Sequence, residues 1–205
     1  MDKMGQVGKM EWAFALFDAY NQRDPNKLDG EGMAIADGEG VAAGYFYSMQ
    51  LYNWVKKLRP DAGEALLLAS RCQHIGRWEV PRSEYPAGKA GYLSWRTGMA
   101  KYHAAKAGQL LEEAGYDAGM RAAVGSLLLK EDLRTSPDMQ VMENALCLVF
   151  LEFQYEGFLL LHEEGKIIRI LKKTWAKMSQ PGRDAALGLS FSEKGRKLIG
   201  EALGG

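Results

Sequence analysis

Residues 141–161 read VMENALCLVFLEFQYEGFLLL, apolar on nearly every face of a helix. A surface helix buries only a stripe about 100° wide, so a helix that is apolar all round has to be enclosed by others. The run therefore belongs at the centre of a bundle, and the remaining chain has to supply amphipathic helices around it. Ser136 or Pro137 opens this helix, and the apolar character carries it as far as Leu161. Glu143 and Glu152 are the exceptions, each with apolar residues one turn away on both sides. An enclosed carboxylate is costly unless it is paired or hydrogen-bonded. An arginine partner is expected for Glu152.

Helical spacing recurs on both sides of this run. Trp12, Leu16, Phe17 and Tyr20 give a helix over residues 10–22, ended by Asp24-Pro25-Asn26 because proline disfavours helix in the residue before it. Tyr45, Met49, Tyr52 and Val55 share a face of a second helix, 45–58, stopped by Pro60. Asp61 is the expected N-cap of a third. That helix carries Leu66, Leu67, Ala69 and Ser70, and His74 continues its buried stripe. A long helix over 89–114 ends before Gly115, a fifth covers 118–130, and a late one covers 166–178. No segment has the period of a strand. The expectation is an all-α bundle of six to eight helices in one domain, residues 10–190. A disordered lead-in, 1–9, precedes it and a peripheral tail, 191–205, follows. DGEG occurs at Asp29 and again at Asp37, but without the ligand spacing of an EF-hand, so a loop or turn pair is expected there.

Composition narrows the function classes. Twenty-six basic residues balance twenty-six acidic ones in a chain of 205, so no global field argues for nucleic acid or an anionic membrane. No stretch approaches the ~20 apolar residues that a membrane span needs. No Gly-Lys-Ser/Thr phosphate loop or other organic-cofactor motif is present. Cys72 and Cys147 lie far apart in apolar surroundings, with no CxxC and no signal-peptide pattern. A cytoplasmic protein with two reduced thiols is expected.

Chemistry concentrates at RCQHIGRWEVPRSEYP, residues 71–86, where an apolar helix gives way to a proline-punctuated loop. His74 with Gln73, His103 between Ala100 and Ala107, and Glu143 with Asn144 are polar groups on otherwise buried faces of three helices. Two imidazoles and a carboxylate are a ligand set for one divalent transition metal, and Glu143 or His74 can serve as a base on water. The alternative for each histidine, and the commoner situation for such a residue, is a hydrogen-bonded place in the core. Arg71, Arg77, Arg82 and Arg96, with Lys130 nearby, form a cationic group whose guanidinium forks suit phosphate. Trp78 offers a stacking face for a base or ring. The alternative is that these arginines are solvated, or paired with Glu79, Glu84 and Asp61.

RCQHIGRWEVPRSEYP, GYLSWRTGMAKYHAAKAGQLLEEAGY, MENALCLVFLE and KTWAKMS together resemble the domain-of-unknown-function 4202 family over residues 12–189. That resemblance implies no activity. LLLASRCQHIG, KYHAAKA, LLLKEDL and SPDMQVMENALCLVFLE resemble, more distantly and in the same order, the HD superfamily of metal-dependent phosphohydrolases. This second resemblance implies an HD-like all-α fold and phosphoester hydrolysis. The family's His-Asp pair is replaced by Gln73-His74, its first histidine falls at Tyr47 or Ser48, and its last aspartate falls at Glu143 or Asn144. The site is then either rebuilt around His74, His103 and Glu143, or reduced to a pocket without metal. Two functions follow as expectations. One is a metal-dependent phosphohydrolase acting on a phosphorylated small molecule or nucleotide. The other is a non-catalytic module binding a phosphorylated ligand or a protein partner.

Overall fold

Ser136 and Pro137 start the central helix by satisfying its first amides. The Ser136 hydroxyl accepts the Met139 N–H at 3.2 Å, and Pro137 has no amide hydrogen to leave unpaired. The computed structural model describes residues 8–35, 39–131 and 135–204. Among them are ten α-helices, against the six to eight expected. They are α1 Lys9–Asn21, α2 Ala43–Leu58, α3 Glu64–Cys72, α4 Gly88–Glu113, α5 Ala118–Leu129, α6 Pro137–Phe153, α7 Tyr155–Leu161, α8 Glu164–Lys177, α9 Gln180–Leu187 and α10 Glu193–Leu203. The fold is all-α, with α6 at its centre: Met139, Met142, Ala145, Leu148 and Leu151 are buried against α2, α3, α8 and α9.

The apolar run does not make one long rod. Gln154 leaves helical geometry (φ −122°, ψ −22°), and α7 turns off at 62° from α6. The bend places Tyr155 in the core, where its hydroxyl donates to the Gly195 carbonyl at 3.0 Å. No single described helix is long and apolar enough to cross a membrane.

Four expectations need correction. Residues 27–42 hold a small antiparallel sheet of two-residue strands, β1 Lys27–Leu28, β2 Ala34–Ile35 and β3 Val41–Ala42, in the order β2-β1-β3. Lys27 pairs with Ile35 and Ala42, and the Asp29 carboxylate accepts the Glu31 and Met33 amides, so the first DGEG is a turn. The second lies partly outside the described residues, as does most of the expected lead-in. Asp61 does not cap α3: Gly63 holds that position, and Asp61 is exposed with Arg59 at 3.9 Å. Glu152 takes the Trp54 indole N–H at 2.6 Å rather than an arginine, because its side chain lies at the α2 face of α6. Finally, the tail is not peripheral. α10 buries Leu198, Ile199 and Ala202 against the bundle, and the Ser192 hydroxyl caps it by accepting the Gly195 N–H at 3.0 Å.

Candidate functional site

α3 stops at Cys72, and the stop decides where the next residues point. Had the helix continued, His74 would lie on its buried stripe. Instead the chain tightens through Gln73 and His74 and turns at Gly76, whose φ of +67° an L side chain rarely adopts. A Cβ there would also meet the Tyr102 ring at 2.9 Å. A short 3₁₀ turn, Arg77–Glu79, follows. His74 and Arg77 thus come out exposed, while Gln73 between them and α3 stays buried.

Two hollows meet at Gln73, His74 and Arg77. The first, about 530 Å³, lies between the end of α1, the start of α2, Trp78, Trp95, the Leu146–Phe150 face of α6 and Gln154. The second, about 500 Å³, lies between α4 and the end of α5 and is lined by Arg96, Thr97, Lys101, His103 and Lys130. Arg77 stands on the shared wall with its guanidinium 4.5 Å from the centre of the Trp95 ring. Enclosure lowers its pKa from the usual guanidinium range; Tyr92 opposes the shift and Arg96 adds to it.

The imidazoles stand together. His74 and His103 lie edge to face, ring centroids 5.8 Å apart. His103 is buried on α4, and its Nδ1 lies 2.7 Å from the Ile75 carbonyl, so Nδ1 carries the proton. Its Nε2 is then a buried acceptor with no partner among the described residues. Burial pushes the His103 pKa down to about 4; the Ile75 carbonyl resists and Arg77 adds to the fall. His74 is also held well below the ordinary imidazole range. The surrounding protein is the first cause, followed by Arg77, His103, Lys130 and Arg96. Its exposed surface is cavity wall, so this is the desolvation of a pocket floor and not of a sealed core.

Glu143 is buried on α6 and paired with Lys130, which lines the second hollow from its left-handed position (φ 59°) after α5. Its neighbour Asn144 ties α6 to the start of α9: Nδ2 donates to the Ser179 hydroxyl at 2.7 Å and Oδ1 accepts the Ser179 N–H at 2.9 Å. Among the described residues, no three His, Cys, Asp or Glu side chains stand together as metal ligands. His74 and His103 therefore present two neutral imidazoles beside a cationic hollow, while the third expected donor is committed to a lysine.

The arginines separate on inspection. Arg71 lines neither hollow: it is buried beneath the Phe14 and Tyr52 rings and paired with Asp18, because α1 packs directly on α3. Arg82 borders the first hollow, but its guanidinium donates to the Tyr85 and Pro86 carbonyls at 2.8 Å and so fastens its own loop. Glu79 takes none of the arginines and accepts the Tyr20 and Tyr102 hydroxyls. Arg77, Arg96 and Trp78 remain on the cavities as expected from their types. Gly44 makes room for Trp78, since a Cβ there would lie 2.9 Å from its ring. Sequence reading missed Lys101 and Trp95. Trp95, Met99 and His103 recur at four-residue steps on α4, which was the available signal.

A family model described as a domain of unknown function, DUF4202, matches residues 11–199. Searches of curated proteins and of solved structures find no match.

Proposed function

The chain belongs to the DUF4202 family, and on that premise we propose that it binds a phosphorylated small molecule in the hollow between α4 and the end of α5. One observation carries this reading. Arg77, Arg96 and Lys101 line the hollow without an ion-pair partner among the described residues; Lys130, already paired with Glu143, and the single carboxylate Glu131 line it too, so cations outnumber anions there. Unpaired cations collected in one concavity repel each other unless an anion joins them. Guanidinium forks suit the paired oxygens of a phosphoryl group. His74 at the floor is uncharged, so it accepts or donates a hydrogen bond without competing for the anion.

The test is thermal unfolding with methyl phosphate in the presence of a chelator. A ligand that binds only the folded state raises the midpoint in proportion to its concentration over Kd. Arg77→Met is expected to abolish the rise and Arg82→Met to keep it. No rise with the unmodified chain at millimolar methyl phosphate would sink the proposal.

Hydrolysis at the same place is a second reading, favoured by the uncharged pair His74 and His103 at the edge of the cationic hollow. A neutral imidazole beside a held phosphoryl group is what a general base acting on water requires. The wider likeness to HD phosphohydrolases belongs here. So does a divalent metal, for which Glu143 would have to leave Lys130. Release of inorganic phosphate, lost in His74→Gln, is the readout. A cytoplasmic setting is part of the proposal and rests on the two buried free thiols, Cys72 and Cys147.

A further inference from the structure

The two hollows share a wall but differ in chemistry. The second is cationic. The first is walled by the rings of Trp78, Trp95, Tyr47 and Phe150 and edged by the amides of Asn21 and Gln154. Its charged members are already engaged. Asp24 accepts the Asn26 amide at 2.9 Å and the Gly44 amide at 2.9 Å, and Arg82 is spent on backbone carbonyls. Apart from Arg77 on the shared wall, such a space has no free charge to offer, but it has aromatic faces and hydrogen-bonding amides. Asn21 strengthens the point: its Nδ2 reaches the Arg71 carbonyl at 3.4 Å, which fixes the amide orientation and leaves its buried Oδ1 without a partner. Gln73, common to both hollows, likewise has a buried Oε1 without a partner.

We propose that the ligand is a phosphate monoester carrying a flat, uncharged ring, with its phosphoryl group in the α4–α5 hollow and its ring in the aromatic hollow. This rests on the phosphate reading above and extends it to the other side of the His74–Arg77 wall. Arg77 sits where the two parts of such a ligand join, and its position against Trp95 keeps its charge at that junction. Packing of the ring against Trp78 and Phe150 supplies affinity, because aromatic faces gain from offset or edge contact with another ring. Hydrogen-bond donors on the ring edge answer the unpartnered amide oxygens, and an uncharged ring avoids the cost of bringing charge into an apolar cavity. A nucleoside monophosphate and a simple aryl phosphate both meet this description, and they differ in the spacer between ring and phosphate.

Isothermal titration of the full chain with methyl phosphate, phenyl phosphate, ribose 5-phosphate and adenosine 5′-monophosphate decides the matter. At least one of the two ring-bearing esters is expected to bind tenfold or more tightly than methyl phosphate, and ribose 5-phosphate is expected to fall short of that gain. Preference between phenyl phosphate and the nucleotide reports the spacer length. Trp78→Ala is expected to erase the gain while methyl phosphate keeps its affinity. Gln154→Trp, a change at an exposed position bordering the cavity, narrows the space without touching the core and is expected to do the same. If methyl phosphate binds and neither ring ester exceeds it, the ring proposal is overturned and the phosphate reading stands. If no phosphate ester binds, both fall.

Discussion

The rings of His74 and His103 meet edge to face across the junction of α3 and α4, with 5.8 Å between centroids and 73° between planes. One is buried and the other opens onto two cavities, yet both are held below the ordinary imidazole pKa. The pair lets the protein keep nitrogen donors and acceptors beside Arg77 without adding positive charge to it.

This pair makes stability depend on pH with a definite sign. The folded pKa of His103 is about 4 against 6.5 in an unfolded chain. The unfolded state therefore binds more protons between those values, and folding weakens as pH falls through that window. The contribution is complete above pH 6.5 and is exhausted below 4. A shift of this size corresponds to about 3 kcal/mol. His74 acts in the same direction. Urea unfolding at steps from pH 7.5 to 4 should show the decline, and His103→Asn should flatten the share that His103 contributes, leaving that of His74.

Lys130 and Glu143 are coupled. Glu143 is 6% exposed, so removing its partner leaves a carboxylate enclosed by α6 and its neighbours. Lys130→Met is expected to cost about 2 kcal/mol, below the usual range for a broken buried pair because the lysine is partly solvated. The double variant Lys130→Met with Glu143→Gln should recover much of that loss. A denaturant series on the four proteins closes the cycle. Additive losses would show that the pair does not act as a unit.

Gly76→Ala sets backbone strain against the site. The left-handed φ and the close approach of Tyr102 together predict a loss of about 1–2 kcal/mol. Because Gly76 turns the chain between His74 and Arg77, methyl phosphate binding should weaken as well. Calorimetric melting and titration on the same sample separate the two effects. A stable variant with full affinity would show that this turn does not position Arg77.

Truncation after Leu189 should be severely destabilising rather than neutral, since it strips Leu198, Ile199 and Ala202 from the core and leaves the buried Tyr155 hydroxyl without its Gly195 acceptor. Tyr155→Phe isolates the last term, with an expected cost of about 1 kcal/mol in a thermal melt.

The helices were legible because burial on one side of a helix imposes a repeat of 3.6 residues, and the long ones, α4 and α6, carry several turns of it. The strands of residues 27–42 were not, because two residues cannot show alternation. The break at Gln154 was hidden for a different reason: apolar residues continue on both sides of it, and the contacts that Tyr155 makes beyond it, with Gly195 and Phe191, lie far along the chain. Among site residues, Arg77 and Trp78 were readable from type and loop position. Arg71 was misread because its partner, Asp18, lies 53 residues away on another helix. His74 was misread because its exposure depends on α3 ending at Cys72, two residues sooner than the apolar stripe implies.

The seating of the Arg77 guanidinium 4.5 Å over the Trp95 ring has a kinetic consequence. A guanidinium already parked against an indole gives up little motion when an anion arrives, so capture is governed by how quickly the field draws the anion in. Added salt should then slow association more than it hastens escape.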